Sequence, residues 1–311
     1  MVERVLSIAV CTFDRAALLD YALRSFATTA ARSSASFELL VVDNNSRDGT
    51  RAVAERWAAR SPFPVRYLFE PTQGLSAARN RAVGEAAGGW IWYIDDDVLL
   101  SPGWLDGIVD GLDRFADASV LAGAVTLAFE PPVPAWLPAA ALPYYGMTDF
   151  GNAPRRLAPT EYPVGANMGV RRAAFDDVGL FRDSLGRVGG SLRSCEESEL
   201  VDRLRARGHT AAYLPDVEVR HRIGADRATM RWLRRRAYWG GISYVLTDGR
   251  APGDGAGAAV GRALRAVRSV ARGAVTRGID RERQLDYAWQ LGTARAHLAE
   301  AVRRARTRGR R

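Results

Sequence analysis

No lysine occurs anywhere in the 311 residues. All 44 basic side chains are arginine, which excludes a phosphate-binding loop built around a lysine. Cysteine is nearly as scarce, with Cys11 and Cys195 the two present. They form neither a disulfide framework nor the paired spacing of a zinc site, and Cys11, inside an apolar strand pattern, reads as a small core residue. No uncharged apolar run reaches the 18 residues that a membrane-spanning helix needs. Met1-Val2-Glu3-Arg4 leads directly into a strand pattern without a visible signal peptide, so the expected location is cytoplasmic. A glycine-rich dinucleotide turn is missing as well. Thr12-Phe13-Asp14-Arg15 follows the first strand with none of the glycines of G-x-G-x-x-G, and Gly84, Gly88 and Gly89 precede a strand instead of following one.

What is present describes a globular chain, 47% hydrophobic and 25% charged, long enough for one large α/β domain with an appendage. The alanine and glycine richness, with arginine as sole base, suggests a GC-rich bacterial source. Charge is unevenly spread. Residues 251–311 hold 14 arginines against five acids, which accounts for the whole net charge of +9, while residues 1–250 balance 30 against 30. A basic tail on a neutral body favours an anionic partner such as a membrane surface.

Strand and helix patterns alternate through the first hundred residues. Val5–Thr12, Phe37–Val42 and Val65–Glu70 read as strands, and helical spacing follows each, the third helix covering Leu75–Ala87. Trp90–Leu99 then begins as an aromatic strand buried on both faces and ends in Asp95, Asp96 and Asp97. Such βαβ alternation predicts a mainly parallel sheet, whose ligands lie beyond the carboxyl ends of the strands. Thr12, Asp43 and the acidic triplet occupy those ends. Three adjacent carboxylates repel one another, and two readings stay open for them: a polar turn, or a site where a divalent cation and a phosphate-bearing ligand neutralise the charge.

Four local patterns, in order, resemble the family 2 glycosyltransferases of GT-A fold. They are the Val10–Arg15 opening, Val41–Thr50 (Val-Val-Asp-Asn-Asn-Ser-Arg-Asp-Gly-Thr), Gly74–Asn80 (Gly-Leu-Ser-Ala-Ala-Arg-Asn) and Ile94–Asp97. Val164–Val170 resembles the family's acceptor-side segment, and Cys195–Leu200 (Cys-Glu-Glu-Ser-Glu-Leu) its Glu-Asp base motif. The resemblance covers about residues 5–225. It implies a Rossmann-like GT-A domain over residues 1–225, with a nucleotide-binding half over 1–100 and an acceptor half over 101–225. A helical, basic C-terminal region fills 226–311.

The activity implied is inverting transfer of a sugar from a nucleotide diphosphate donor, UDP first among them, to an acceptor hydroxyl of unknown identity. Charge on the leaving diphosphate calls for Mn²⁺ or Mg²⁺. By resemblance Asp97 is the direct metal ligand, Asp95 faces the ribose and the metal's water shell, Asp96 shapes the turn, and His221 is a further ligand. Thr12, Arg15, Asp43 and Asn45 line the nucleotide, and Arg79 offers a planar charged fork to a phosphate. Inversion requires a base for the acceptor hydroxyl. Glu197, at a helix start that favours its ionised form, is the candidate and Glu196 the rival, although the family usually has Asp here. Asn167, Trp136 and Tyr145 are acceptor-side candidates, the two aromatics as stacking surfaces or else as a satellite core under the proline-rich stretch Phe129–Gly151. Ser184–Ser194 reads as a mobile loop near the acceptor.

Beyond His221, Met230–Tyr238 reads as a basic helix and Ala251–Gly257 as a linker. Val260, Leu264, Val267, Ala271 and Val275 recur on one helical face opposite Arg262, Arg265, Arg268 and Arg272. That pattern suits either an interfacial helix on anionic lipid or a helix packed on the domain. Sparse aromatic interleaving argues against nucleic acid. Two other activities share parts of this layout: a sugar-phosphate nucleotidyltransferase, whose lysine-bearing phosphate loop is absent, and a catalytically silent nucleotide-sugar or membrane-scaffold protein.

Overall fold

Short apolar runs, each followed by an amphipathic stretch, build the first half of the chain in the computed structural model. It describes residues 6–130, 132–248 and 281–308, together with 261, 264, 265, 267 and 268. The order is β1 (Leu6–Thr12), α1 (Ala16–Ala30), β2 (Phe37–Asp43), α2 (Thr50–Arg60), β3 (Val65–Phe69), α3 (Leu75–Glu85) and β4 (Trp90–Asp95). β5 (Val98–Leu100), α4 (Trp104–Arg114), β6 (Val120–Glu130), a 3₁₀ turn (Ala139–Tyr145), β7 (Arg155–Arg156) and β8 (Asn167–Arg171) follow. Then come α5 (Ala174–Val178), α6 (Glu196–Ala206), β9 (Ala211–Gly224), α7 (Met230–Asp248) and α8 (Arg281–Arg308).

Two compact units divide these elements. The first comprises Met1–Ala128, Gly146–Asp183 and Glu197–Ile223, the second Phe129–Tyr145, Ser184–Glu196 and Gly224–Arg311. A nine-stranded sheet runs β3-β2-β1-β4-β8-β6-β9-β5, with β7 on β9. β1 to β4 are parallel, as helical crossovers require. The expected parallel order stops there: β8 returns antiparallel to β4, and β5 and β7 pair antiparallel with β9.

β4 lies between β1 and β8 and is buried on both faces. Trp90, Trp92 and Ile94 join the larger apolar cluster, and Ile91 and Tyr93 the one on the opposite face. Trp92 fits because its neighbour across the sheet is Gly169, where a Cβ would overlap the indole ring. Helix packing against both faces leaves the strand ends as the accessible rim.

In the second unit α7 runs ten residues past the expected end at Tyr238. Gly240 and Gly241 do not break it, because α8 packs there: a Cβ on Gly241 or Gly292 would strike backbone of the opposite helix. Small residues let the two axes approach closely. The linker stretch at 251–257 lies outside the described residues, as do Val260, Arg262, Ala271, Arg272 and Val275; Leu264, Arg265, Val267 and Arg268 are exposed.

Candidate active site

The triplet ends β4, and the chain then turns into β5, which pairs with β9 so that Val98 stands opposite His221. Arg222 N–H donates to the Asp97 carbonyl (2.9 Å) and fixes that register. The pairing brings Asp97 and His221 together from 124 positions apart. One ligand atom from each of Asp95, Asp97 and His221 falls within 4.8 Å of the others, and His221 Nε2 is 3.2 Å from Asp97 Oδ1. Ligand atoms about 2.1 Å from a Mg²⁺-sized ion stand about 3.0–4.2 Å apart, so a divalent cation fits once these side chains draw together. Two carboxylates and an imidazole suit Mn²⁺ as well.

Asp96 is held by Thr12 and Arg15 instead. Thr12 Oγ1 donates to its Oδ2 (2.7 Å) and Arg15 Nη1 to its Oδ1 (2.8 Å). Arg15 Nη1 also reaches Asp97 Oδ2 at 3.0 Å, tying the triplet to the end of β1. Burial pushes the Asp96 carboxyl above the usual carboxylate range, with Asp97 adding to the effect and Arg15 opposing it.

At the end of β2, Asp43 is buried with both oxygens engaged, Oδ1 by the Ser46 N–H and Oδ2 by the Tyr67 hydroxyl, each at 2.9 Å. Its neighbour Asn44 carries equal structural weight. The Asn44 amide donates to Thr72 O (2.7 Å), and its Oδ1 accepts the Gly74 N–H (2.7 Å), clamping the loop that opens α3. Sequence patterns alone point to neither Tyr67 nor Asn44. Asn45, the candidate they do offer, has a left-handed backbone (φ 66°) at this turn.

The structure gives the Arg79 fork a partner other than the one expected. α3 buries the guanidinium against the Tyr93 and Phe181 rings, 5.7 and 5.6 Å from their centroids. Its Nη1 lies 3.2 Å from Glu197 Oε1, which also accepts the Gly165 N–H at 3.0 Å. Gly165 is two residues before Asn167, the partner of Ile94, so this pair belongs to the same end of β4 as the triplet. A Cβ on Gly165 would overlap both Arg79 Nη2 and Glu197 Oε1. Burial by itself would raise the Glu197 carboxyl; Arg79 and the backbone N–H groups of Glu197 and Gly165 outweigh it and hold the group below its ordinary value.

Asn167 is a framework residue rather than an acceptor contact. It is fully buried, its Oδ1 accepts both the Trp92 and Trp104 indole N–H groups (2.9 and 3.2 Å), and its amide donates to Ala124 O and Val217 O (2.9 and 2.7 Å). Nothing of the side chain is left for a ligand. In the second unit Tyr145 is likewise enclosed: its ring stacks on Trp232 (4.9 Å, 8°) and meets Phe129 edge-on. It offers no face to a sugar, and the satellite-core reading holds for it. Trp136 is half-buried under the Arg281 guanidinium at 5.7 Å. Glu196 begins α6 and is buried. The segment expected to be mobile is tied to α7: Arg235 donates to Gly190 O, Arg236 Nη1 to Ser194 Oγ (3.0 Å), and Ser194 N–H to Ser243 Oγ (3.0 Å).

The family model described as Glycosyl transferase family 2 matches residues 7–179. Among curated proteins, the succinoglycan biosynthesis protein ExoM of Rhizobium meliloti is 28% identical over 242 residues, 77% of this chain and 74% of that one. An N-acetylglucosaminyl-diphospho-decaprenol L-rhamnosyltransferase of Mycobacterium tuberculosis is 28% identical over 245 residues, 70% of this chain and 76% of that one. Among solved structures, a mannosyltransferase of Pyrobaculum calidifontis in complex with GDP-Man and Mn²⁺ aligns with TM-score 0.57 and 21% identity, over 96% of this chain and 74% of that one. TarS 1–349 of S. aureus aligns with TM-score 0.53 and 17% identity over 75% of this chain, which spans 64% of that structure. At such identity the structural matches establish the GT-A fold alone.

Proposed function

Because the chain belongs to glycosyl transferase family 2, we propose that it is an inverting, metal-dependent enzyme that moves a sugar from a UDP-sugar to an acceptor hydroxyl by single displacement. The observation that carries this reading is the convergence of Asp95, Asp97 and His221 at the carboxyl end of β4. The mannosyltransferase holding GDP-Man with Mn²⁺ and a TarS structure holding UDP-GlcNAc support a nucleotide-sugar donor. The nucleotidyltransferase and silent-scaffold alternatives are not favoured.

In this reading Asp95, Asp97 and His221 hold Mn²⁺ or Mg²⁺. The ion supplies positive charge to the leaving diphosphate. Thr12 and Arg15 fix the triplet through Asp96, and Arg15, about one-third exposed, also offers a charged N–H to a phosphate oxygen. Asp43 and Asn45 line the nucleoside side. Glu197, ionised at neutral pH, takes the acceptor hydroxyl's proton as that oxygen attacks the anomeric carbon from the face opposite the diphosphate. Glu196 is buried at the first residue of the same helix and is not assigned the proton.

The C-terminal region contributes peripheral contact with an anionic bilayer. Among the described residues no helix is long and apolar enough to cross a membrane. α8 instead exposes Leu291, Leu298 and Val302, which share one helical face with Arg295, in a region that carries the chain's whole net positive charge. Apolar contacts flanked by arginine suit a surface of acidic headgroups.

The central test is Asp97→Asn in calorimetric titration with UDP. The wild-type protein should bind UDP at least about tenfold tighter with Mn²⁺ than with a chelator, and the variant should lose that difference. Equal affinity with and without Mn²⁺ in the wild type removes the triplet from the site.

A further inference from the structure

We propose that Arg79 is a positioning residue for the base, clamping the Glu197 carboxylate through a buried ion pair, and not a ligand of the donor phosphates. The inference rests on Glu197 being the base, as argued above.

The two arginines near the triplet differ in what they can reach. The Arg15 side chain is 32% exposed, whereas that of Arg79 is 3% exposed and already paired. Rings cover Arg79: Tyr93 and Phe181 each lie within 6 Å of the guanidinium carbon, a cation–π enclosure that fixes the plane of the fork. From that fixed plane Nη1 points at Glu197 Oε1, and the Gly165 N–H meets the same oxygen. Two donors on one oxygen restrain rotation of the carboxylate about its terminal bond.

Such a restraint answers a feature of this sequence. Glutamate has one more rotatable bond than the aspartate usual in the family, and a base that swings loses the alignment proton transfer needs. A guanidinium suits the task, being permanently charged and planar, so it neither competes for the proton nor tolerates many orientations of its partner. Gly165 completes the clamp, since any side chain there would wedge the pair apart.

Several titratable groups lie near the pair. Burial pushes the Cys11 thiol, on β1, up to about 12 and the Tyr93 phenol, on β4, well above its usual value. On α6 itself, Glu199 is bound to Arg182 and Arg203. The Asp96 carboxyl, raised by burial at the same end of β4, titrates between pH 3 and 9 too, so the titration is read at the assigned Glu197 Cδ label itself.

The experiment has two readouts that need no acceptor. The first is calorimetric affinity for UDP with Mn²⁺; the second is the Glu197 pKa, followed by ¹³C NMR with glutamate labelled at Cδ and assigned with Glu197→Gln. In Arg79→Gln, UDP affinity should stay within about twofold of wild type, and the Glu197 pKa should rise by at least about one unit. Arg79→Lys should restore part of that shift. A fall in UDP affinity of about tenfold or more, or an unmoved Glu197 pKa, overturns the proposal. If Arg79→Gln does not fold, the Arg79→Gln/Glu197→Gln double variant leaves no charge buried alone. It carries the binding measurement against Glu197→Gln, while Arg79→Lys carries the titration. Failure of the base assignment looks different: Glu197→Gln would transfer sugar at the wild-type rate although both readouts on Arg79 came out as expected.

Discussion

Replacing Asn167 by alanine separates a framework role from an acceptor role. The substitution takes a partner from four buried groups: the indole N–H of Trp92 and of Trp104, and the carbonyls of Ala124 and Val217. Each buried polar group left unsatisfied costs about 1–3 kcal/mol, so even the low end for all four sums to about 4 kcal/mol. That is a large part of the 5–15 kcal/mol by which a typical domain is stable. At about 2–4 °C per kcal/mol for a domain of 150–250 residues, the melting temperature should fall by about 8–16 °C. Differential scanning fluorimetry measures this, and UDP binding with Mn²⁺ below the transition should be retained per folded molecule. A melting temperature within about 2 °C of wild type, accompanied by loss of sugar transfer, would refute the reasoning and return Asn167 to the acceptor side.

Two further expectations follow from the pair and from the tail. Glu197 has a folded-state pKa below its ordinary 4.5, so the stability it contributes is complete above that value and disappears as pH falls through the folded one. The gap in melting temperature between wild type and Glu197→Gln should therefore close on acidification from pH 6 towards pH 3; a gap that stays constant would mean the carboxylate charge contributes nothing. The Leu291→Ser/Leu298→Ser/Val302→Ser variant, altered only at exposed positions, should float less with phosphatidylglycerol vesicles than wild type does, and undiminished flotation would remove α8 from the membrane surface.

Local chemistry was legible where the relevant partners are close in sequence. The continuous apolar run Trp90–Ile94 told of a strand covered on both faces, and the aspartates that follow it occupy the rim as strand-end logic requires. Partners far apart in sequence were not legible. Arg79 and Glu197 are 118 positions apart, and nothing around either one states that they meet. The Val164–Val170 segment resembles an acceptor-side stretch, yet whether Asn167 turns inward depends on Trp92 and Trp104, from two other elements. Tyr67 escaped notice for a related reason. On β3 it is one of two aromatics in a five-residue strand, and only pairing with β2 puts its hydroxyl on Asp43. Tyr145 illustrates the converse, since an aromatic in a proline-rich stretch looks available until a helix supplies Trp232 to cover it.

The β5–β9 pairing bears on the order of events during synthesis. When residue 97 is added to the nascent chain, all three aspartates of the triplet exist, yet the histidine that faces them is still 124 residues from being made. β9 is also the last strand of the sheet to be translated, and it must insert between β6 and β5. A nascent chain thus carries the carboxylates of the proposed cation site without its imidazole until the closing strand is made. Were Asp95, Asp97 and His221 to hold a cation as proposed, full ligation would come only to chains whose sheet is complete.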